Sequence, residues 1–572
     1  MKDKIIILFV FLTLTITANA QSRDPNIHTS MLFADSSPKV NLKKDSLKVL
    51  QIGNSYTNNS TSYLPSMVQR AGINTNDMCL YKCVRGSGSF STFINCWNDK
   101  DAGGYSISKV VGGITLPIAS SATPNDGSNI RKAFTDCKWD IIIIQQVSNY
   151  SHKYEFWNQN HAGGHLPELI SLIRTYQPQA AIGINMIHAA YTYNSDTNSL
   201  FSLIADSYHQ FCIDYGVDFV IPYGTAVQNA RQSSFNTTQY GFSNDKSHLA
   251  PGVGQYVACA AYFETLIAPR YGVSIMGNSY RVSITDSQRE SATYPDELVS
   301  VTDENAYLCQ KAAVLAVHDM FNINNPDNTS ILTDGEAYTN DSQLDEQKIL
   351  YTRTFNNTKW QSLYIPFSMS YDDWKDDFDV AYINGIRQID TDNDNIIDKT
   401  IMDVYRIEEG SIFPNIPYLI KAKTTGKKTI YVSNATLYEA EENSIDCSTT
   451  ISKYTFTGTY NTIPAATLIE NNYYAMGGGS IIMTDGTSNL RPFRWYVKAE
   501  ARNPIYNITN AAKTIAVSVG GDIEEGNTTG MSLVLQESQP QSLIHDLNGR
   551  AVKGKALMPG IYIKNGKKIV IK

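Results

Sequence analysis

Residues 48–57 read KVLQIGNSYT, and this stretch decides the fold of the first half of the chain. Its first five residues have the composition of a β-strand, which runs into Gly53-Asn54-Ser55 and then into a helical pattern. A serine in that position is expected at the carboxyl end of a parallel strand, where open α/β sheets bind their ligands. The start of a helix beside it favours developing negative charge. The stretch therefore predicts an open α/β sheet with Ser55 at its functional edge.

The same alternation of strand and helix continues to about residue 269. Short β-branched runs alternate with helical patterns, which is typical of a parallel sheet flanked by helices. Residues 141–144 are isoleucine at every position, as expected of a strand that is covered on both faces, and we place it at the centre of the sheet. We expect a three-layer α/β/α domain over residues 45–270.

Three further segments follow this domain. Residues 271–325 are predicted to be a helical extension, and the Pro/Asn-rich residues 322–330 indicate a domain boundary. Residues 335–505 alternate like strands, are rich in aromatic residues and lack helical periodicity, which predicts a β-sandwich. Residues 510–572 are predicted to form a small all-β module, with Asn565-Gly566 suited to a type I′ hairpin turn.

The first twenty residues have the layout of a signal peptide. Lys2 and Lys4 precede an apolar run over residues 5–14, and Ala18-Asn19-Ala20 forms a small-residue exit. We therefore expect residues 1–20 to be removed and the protein to be secreted. No later apolar stretch reaches the roughly 18 to 20 residues that a membrane span requires, so we expect no membrane span.

Charge and cysteine content argue against two classes of protein, nucleic-acid-binding proteins and zinc proteins. The net charge of −8 comes without a cluster of basic and aromatic residues, so nucleic acid is not an expected partner. The eight cysteines contain no CxxC pair, which argues against a zinc site. We interpret them as core thiols, with one or two disulfides left open because export leads to an oxidising compartment.

A serine hydroxyl is a poor nucleophile near neutral pH, and it requires a histidine as base and a carboxylate to orient that histidine. Asp245-Lys246-Ser247-His248 supplies both groups, after the last predicted strand and before a helix over residues 253–266. A general base of this kind contributes about 10²- to 10⁴-fold in rate. We predict Ser55, Asp245 and His248 as a catalytic triad.

Each of these motifs has a second copy in the chain. The tetrapeptide Gly-Asn-Ser-Tyr recurs at residues 277–280, but that copy leads into VSITDS rather than a helix. Asp206 and His209 repeat the Asp–His spacing inside an amphipathic helical pattern. The order and context of the motifs therefore carry the prediction, and we expect Ser279 to be non-catalytic.

Residues 45–270 resemble the SGNH (GDSL-like) hydrolase family, whose first block is a GDS-like motif after strand one and whose last block is DxxH. Gly53-Asn54-Ser55 differs from the commoner GDS motif at Asn54, as in a subgroup of secreted SGNH-like proteins from Gram-negative gut commensals. The resemblance implies an SGNH-type domain, followed here by β-rich accessory domains.

The two inner blocks of that family supply the donors of an oxyanion hole. By resemblance, the second block falls at residues 85–89, with Gly86 as the donor and Gly88 as the alternative. The third block falls at the end of the strand 141–144, with Asn149 as the donor and Gln146 as its substitute. This block departs from the family pattern, since Val147 stands where glycine is usual and Tyr150 stands for aspartate.

The resemblance implies a serine esterase that acts through an acyl-enzyme and needs no cofactor. The resemblance, together with secretion and the accessory domains, favours O-acetyl or other short O-acyl groups on a polysaccharide as substrate. Two alternatives stay open, a catalytically inactive SGNH-like glycan-binding or surface protein and a lipase or thioesterase. The C-terminal module resembles modules on secreted proteins of the same bacteria, which predicts the periplasm or the cell surface of a Gram-negative bacterium.

An acidic segment in the β-rich region predicts a structural calcium loop or, equally, a solvated acidic loop. Alternating carboxylates around a turn suit the oxygen coordination of calcium, and Asn395 tolerates the left-handed turn geometry. The candidate ligands are Asp390, Asp392, Asp394 and Asp398. Nearby aromatic residues are expected in a β-sandwich core rather than in stacking on sugars; they are Trp360, Tyr364, Trp495 and Tyr496.

Overall fold

A computed structural model describes residues 47–74, 76, 78–98, 104–111, 114–119, 128–508, 514–520, 522–523, 544–546, 560–564 and 567–571. The chain divides into two compact units, Met1–Asp327 and Asn328–Lys572, and the division falls within the Pro/Asn-rich segment 322–330. The predicted signal peptide, residues 1–20, and the predicted hairpin turn Asn565-Gly566 lie outside the described residues.

The described part of the first unit contains one seven-stranded sheet in the order β4-β3-β2-β1-β5-β6-β7. Its strands are β1 (Leu47–Gly53), β2 (Met78–Val84), β3 (Ser106–Val111), β4 (Ile114–Ala119), β5 (Ile141–Ile144), β6 (Ala181–Asn185) and β7 (Phe219–Ile221). Strands β2, β1, β5, β6 and β7 are parallel, and β3 and β4 add an antiparallel edge. The unit is thus an α/β domain with a largely parallel sheet.

Helices connect the parallel strands and continue beyond the last one. They are α1 (Ser55–Asn59), α2 (Leu64–Arg70), α3 (Phe90–Asn98), α4 (Ser128–Thr135), α5 (Leu166–Tyr176), α6 (Thr197–Tyr215), α7 (Tyr223–Gln232), α8 (Val253–Tyr262), α9 (Ala268–Tyr271), α10 (Asp286–Glu290) and α11 (Asp303–His318). A π-helical turn, Phe263–Ile267, joins α8 to α9, and single 3₁₀ turns are formed by Ser148–Tyr150, Tyr154–Phe156 and Pro295–Glu297.

Helices pack on both faces of this sheet, in two separate hydrophobic cores. Helices α2, α7, α8 and α11 pack on one face, and α3, α4, α5 and α6 on the other. In β5, Ile141 and Ile143 belong to the first core, whereas Ile142 and Ile144 belong to the second. Each fully buried isoleucine contributes about 1.5 to 3 kcal/mol. The unbroken apolar run thus reflects a strand covered on both faces, in the middle of the five parallel strands.

The strand order locates the edge at which a ligand would bind. Counted along the chain, the parallel strands follow the order 2-1-3-4-5, so the direction of the connections reverses between β1 and β5. Those two strands pair in register, with Val49 opposite Ile141 and Ile52 opposite Ile144. Open α/β sheets bind ligands in the crevice outside the carboxyl ends of the strands at such a point. Ser55 follows β1 directly and therefore stands at this crevice.

The second unit is rich in strands and has a different architecture. Its strands are β8 (Thr329–Thr333), β9 (Leu344–Phe355), β10 (Gln361–Leu363), β11 (Met369–Ser370), β12 (Phe378–Ile389), β13 (Ile396–Ile397), β14 (Lys399–Arg406), β15 (Ser411–Ile412), β16 (Tyr418–Ala422), β17 (Gly426–Leu437), β18 (Ser444–Asp446), β19 (Ser452–Thr459), β20 (Tyr474–Gly477), β21 (Ser480–Met483), β22 (Arg494–Ala501), β23 (Asn507–Ile508), β24 (Ile515–Val519), β25 (Asp522–Ile523), β26 (Ile544–Asp546), β27 (Gly560–Lys564) and β28 (Lys567–Ile571). Two short helices accompany them, α12 (Tyr371–Trp374) and α13 (Ala465–Glu470).

Among the described residues of this unit, an 11-stranded sheet that includes β12 and β16 is the largest. Strands β17, β9 and β8 form a second sheet, and β26, β27 and β28 form a small antiparallel sheet near the C-terminus. The apolar side chains form two cores, and β12 and β16 contribute to both, as with Leu419 and Ile420 in adjacent positions. A simple sandwich has one core between two sheets, so the observed arrangement is more elaborate than the predicted one.

Three of the four aromatic residues considered for sugar stacking lie in these cores. Trp360, Tyr364 and Trp495 are buried, whereas Tyr496 is half-buried and stacks on Tyr473 with ring centroids 4.5 Å apart. All eight cysteines belong to the described residues and are free thiols, so the alternative of one or two disulfides does not hold. No helix in the described ranges has the length and apolar composition that a membrane span requires.

Candidate active site

Ser55 is the first residue of α1, and its position depends on the two residues before it. A Cβ atom on Gly53 would lie 2.1 Å from Thr57 Oγ1, so only glycine lets the helix start directly after the strand. Asn54 caps the helix, since its Oδ1 accepts a hydrogen bond of 3.0 Å from the Tyr56 amide. The strand, the glycine and the cap together fix the Ser55 side chain at the carboxyl edge of β1.

The structure brings the three predicted triad residues together in one line of hydrogen bonds. Ser55 Oγ lies 2.8 Å from His248 Nε2, although 193 residues separate them in the chain. His248 Nδ1 lies 2.7 Å from Asp245 Oδ2. Because a carboxylate only accepts, the network assigns the proton to Nδ1, which leaves Nε2 free to accept the Ser55 hydroxyl proton. This is the geometry that a serine nucleophile requires.

Asp245 is held in its charged form by the residues that follow it. Its Oδ1 accepts hydrogen bonds from the amides of Ser247 (3.0 Å) and His248 (2.6 Å), while Oδ2 faces the imidazole. Burial raises the pKa of Asp245, but the bonds from His248 and Ser247 outweigh it and hold this pKa below its ordinary value. Asp245 is therefore ionised near neutral pH and available to stabilise an imidazolium.

The segment that carries these two residues, 244–248, is called the base loop below. Lys246 in its middle has a left-handed backbone conformation, with φ of +67°. The Lys246 Nζ lies 4.6 Å from the ring centroid of Tyr240 and 5.6 Å from that of Tyr294. The amide of Thr192 donates to the Lys246 carbonyl at 3.1 Å. Contacts of both the side chain and the backbone of Lys246 therefore hold the base loop in place.

Glu297 and Arg231 support the chain just before the base loop. The Glu297 carboxylate is buried and accepts from the amides of Tyr240 (2.6 Å) and Ser243 (3.3 Å). Arg231 donates to the Gly241 carbonyl through Nε at 3.1 Å, and burial lowers its pKa to about 10. Neither residue belongs to a sequence motif, and no spacing rule connects either of them to His248.

A buried polar network lies beneath Ser55 and joins the ends of three parallel strands. Gln145, after β5, donates through Nε2 to Asn54 Oδ1 at 2.6 Å, and its Oε1 accepts from Asn185 Nδ2 at 2.7 Å. Thr57 Oγ1 donates to the same Gln145 oxygen at 3.1 Å. Buried amides are costly unless they are paired, so this network fixes the mutual position of the strand ends. No sequence motif points to Gln145 or Asn185 as site residues.

A cavity of about 450 Å³ opens beside Ser55 and His248. Most of its wall is polar, and Val147 and Ala162 are its aliphatic residues. The remaining lining residues are Asn54, Ser55, Tyr56, Ser87, Ser89, Thr92, Ser148, Asn149, Tyr150, Tyr193, Ser247 and His248. They follow the carboxyl ends of β1, β2, β5 and β6 or belong to the base loop, so the cavity occupies the crevice at which the strand connections reverse.

Of the two candidates at the end of β5, Asn149 lies at the cavity and Gln146 does not. Asn149 is half-buried in the turn Ser148–Tyr150, and its side chain forms no hydrogen bond with any residue that the structure describes. Gln146 is fully buried, its Nε2 donates to the Gly163 carbonyl at 2.7 Å, and its Oε1 accepts from the Val147 amide. Gln146, the predicted substitute donor, therefore does not line the cavity.

The two candidate oxyanion donors after β2, Gly86 and Gly88, do not line the cavity either. The amide of Gly88 donates to the Arg85 carbonyl at 3.1 Å in a tight turn, so Gly88 is not available as a donor. Gly86 is exposed and is not among the residues that line the cavity. Ser87, between them, lines the cavity with φ of +55°, a conformation that favours glycine. Ser87, itself an exposed residue, thus lines the cavity beside Ser55, and neither glycine does.

The second copies of the motifs lie away from this cavity. Asn278 accepts from the Tyr280 amide at 3.0 Å, as Asn54 does from Tyr56, and donates to the Met67 carbonyl. Gly-Asn-Ser-Tyr therefore encodes a turn, and only the first copy has a histidine brought to its serine. His209 lies in α6 with its ring 5.3 Å from that of Phe321.

The acidic segment of the second unit gathers three of its four predicted ligands. Asp390, Asp392 and Asp398 each offer a carboxylate oxygen within 4.8 Å of the others. Partial desolvation and the nearby charges raise the pKa of Asp392, as expected where carboxylates crowd together and a cation would be accommodated. Asp394 is not part of this group, and its Oδ1 accepts from the Ile396 amide at 2.8 Å. Calcium binding by the other three stays a prediction.

The fold and the site together define an α/β protein with a serine, a histidine and an aspartate aligned at the edge of a parallel sheet. Residues 48–294 match the model of a family described as Domain of unknown function (DUF4886). The chain is also similar to the crystal structure of a DUF4886 family protein from Bacteroides uniformis ATCC 8492, with 25% identity over 49% of this chain and 98% of that chain and a TM-score of 0.39. No curated protein matches the chain.

Proposed function

We propose that this protein is a secreted serine ester hydrolase with an SGNH-type domain, and that Ser55, His248 and Asp245 carry the reaction. The observation that supports it most strongly is the continuous line of hydrogen bonds from Ser55 Oγ through His248 to Asp245, with distances of 2.8 and 2.7 Å. The strand order 2-1-3-4-5, with the serine after the first strand and the Asp–His pair before α8, agrees with this assignment.

In the proposed reaction, Ser55 Oγ attacks the carbonyl carbon of the ester while its proton moves to His248 Nε2. Asp245 stabilises the imidazolium. The tetrahedral intermediate collapses to an acyl-Ser55, and His248 protonates the departing alcohol. Water then repeats the sequence, with His248 as the base, and releases the carboxylic acid. No metal or organic cofactor takes part in this proposal.

The negative oxygen of the intermediate requires hydrogen-bond donors. The Ser55 amide, the Asn149 side chain and the amide or hydroxyl of Ser87 are the groups that we assign to this role, since all three residues line the cavity. Loss of one such donor typically reduces kcat by about 10²- to 10³-fold. This assignment keeps Asn149 from the sequence-based prediction and replaces Gly86 by Ser87.

The walls of the cavity favour a short acyl group on a hydroxyl-rich substrate. A long acyl chain needs an extended apolar surface, whereas the aliphatic part of this wall consists of Val147 and Ala162. Serine, threonine, asparagine and tyrosine side chains suit the hydroxyl groups of a sugar. We therefore propose O-acetyl or another short O-acyl group of a polysaccharide as the substrate, and we propose the periplasm or the cell surface as the location, from the predicted signal peptide.

The test compares the wild-type protein with Ser55→Ala and with Ser279→Ala, which alters the second Gly-Asn-Ser-Tyr copy. Release of acetate from acetylated polysaccharides and hydrolysis of a chromogenic acetyl ester are measured for each. We expect Ser55→Ala to abolish both activities and Ser279→Ala to retain them. Equal rates for the wild type and Ser55→Ala would overturn the proposal and favour a glycan-binding or surface protein. Preference for long-chain esters would favour a lipase or thioesterase.

A further inference from the structure

We propose that Tyr56 and His188 are positioning residues that fix the direction of the His248 imidazole towards Ser55. The inference rests on the proposed function of the Ser55 site. It gives a role to Tyr56, which the Gly-Asn-Ser-Tyr motif contains without explaining, and to His188, which belongs to no motif. Both act through Ser247, the residue that immediately precedes His248 in the base loop. Each of the two holds a different atom of Ser247, so together they restrain both its backbone and its side chain.

His188 holds the backbone of Ser247. The side chain of His188 is 1% exposed, and its Nε2 donates a hydrogen bond of 2.7 Å to the Ser247 carbonyl. That carbonyl and the amide of His248 belong to one planar peptide unit, so they rotate together. The same amide donates to Asp245 Oδ1 at 2.6 Å. Rotation of this unit would break both bonds at once, and His188 therefore stabilises the alignment of His248 with Asp245.

Tyr56 holds the side chain of Ser247 and the face of the catalytic imidazole. Its hydroxyl shares a hydrogen bond of 2.6 Å with Ser247 Oγ. Its ring meets the His248 ring edge to face, with centroids 5.2 Å apart and an interplanar angle of 85°. Because Tyr56 follows Ser55 directly, the residue next to the nucleophile packs against the base. This contact limits rotation of the imidazole away from Ser55 Oγ.

The two positioning residues also contact each other. The rings of Tyr56 and His188 lie 4.8 Å apart at an angle of 31°. His188 faces Arg231 and Tyr223 from α7, as well as Asp245 and His248 from the base loop. Burial, together with the positive charge of Arg231, lowers the pKa of His188 to about 3. His188 is therefore a neutral hydrogen-bond donor near neutral pH. It adds no positive charge that would oppose an imidazolium at His248.

The test uses Tyr56→Phe, His188→Leu and the conservative His188→Gln, whose side-chain amide keeps a donor for the Ser247 carbonyl. Tyr280→Phe, in the second Gly-Asn-Ser-Tyr copy, is the matched control. With a chromogenic acetyl ester, we expect Tyr56→Phe and His188→Leu to lower kcat by about 10- to 100-fold with KM changed less than about twofold. His188→Gln should recover most of the lost kcat, and Tyr280→Phe should resemble the wild type.

A second readout needs no substrate. The proton on His248 Nδ1 and the titration of the His248 ring are followed by NMR in the full-length wild type and in each variant. We expect the resonance of this proton to shift or broaden in Tyr56→Phe and His188→Leu and to return in His188→Gln. An unchanged resonance and an unchanged kcat in folded Tyr56→Phe would overturn the inference. Absence of Ser55-dependent hydrolysis in the wild type would overturn the proposed function instead, and the NMR comparison would still decide the positioning role.

Discussion

His248 Nε2 accepts from Ser55 Oγ at 2.8 Å, and the two residues belong to opposite ends of the α/β domain's chain. The contact exists because β1 delivers Ser55 to the carboxyl edge of the sheet and the base loop returns to the same edge after β7 and α7. The proposed reactivity of Ser55 depends on this contact, since a serine without a base is a weak nucleophile.

Asp245→Asn is expected to lower kcat/KM by about 10³- to 10⁴-fold, because an amide in place of the carboxylate no longer selects the Nδ1–H tautomer of His248. The measurement is hydrolysis of the chromogenic acetyl ester. Asp206→Asn, which alters the second Asp–His pair in α6, is the matched control and should leave kcat/KM unchanged. Similar losses in both variants would argue against the role of Asp245.

Asn149→Ala is expected to lower kcat by about 10²- to 10³-fold with little change in KM, because its side chain is assigned to the charge that develops only during the reaction. Asn74→Ala, at an exposed position outside the cavity, serves as the control. Steady-state kinetics of the two variants decide the matter. An Asn149→Ala enzyme with wild-type kcat would remove Asn149 from the oxyanion hole.

Glu297→Ala is expected to destabilise the domain by about 1 to 3 kcal/mol, since it leaves the part-buried Tyr240 amide without its charged acceptor, whereas the Ser243 amide keeps its bond to the Tyr240 carbonyl. Urea unfolding measures the loss. Glu290→Ala, at the exposed end of α10, should change the free energy of unfolding by less than about 0.5 kcal/mol. Equal stabilities of the two variants would contradict the role of Glu297 as a support of the base loop.

The lowered pKa of His188 predicts that the free energy of unfolding depends on pH. Its pKa is about 3 in the folded protein, against an ordinary value of 6.5, so the unfolded chain binds the extra proton first. The stability that neutral His188 contributes is therefore complete above pH 6.5 and declines as the pH falls towards 3, by about 1.4 kcal/mol per pH unit. Urea unfolding between pH 6 and 4 should give a steeper decline for the wild type than for His188→Gln. Equal declines of stability in the wild type and in His188→Gln would show that His188 does not cause the pH dependence.

The alignment of Ser55, His248 and Asp245 could be predicted because two local signals occur in the expected order and context along the chain. A strand, a glycine and a serine before a helix indicate the nucleophile, and an aspartate three residues before a histidine at the last sheet edge indicates the other two. The run of isoleucines in β5 likewise predicted a strand covered on both faces, because its burial alternates between two cores.

The oxyanion side and the supports could not be predicted, because they depend on how single turns close. The hydrogen bond from the Gly88 amide to Arg85 occupies the donor of that glycine, and Ser87 lines the cavity in its place; neither feature is encoded in the spacing. Gln145 and Gln146 are indistinguishable in sequence, yet the first joins the network at Asn54 and the second turns towards Gly163. His188 comes close to His248 only through the tertiary fold.

In the proposed reaction His248 activates Ser55 as a nucleophile, and covalent labelling of Ser55 is a direct test of this step. The wild-type protein, Ser55→Ala and His248→Gln are treated with a fluorophosphonate, and the modified residue is located by mass spectrometry. We expect a label on Ser55 of the wild type, no label on Ser279, and little or no label in either variant. Absence of a label on wild-type Ser55, or equal labelling of Ser55 in His248→Gln, would contradict this expectation.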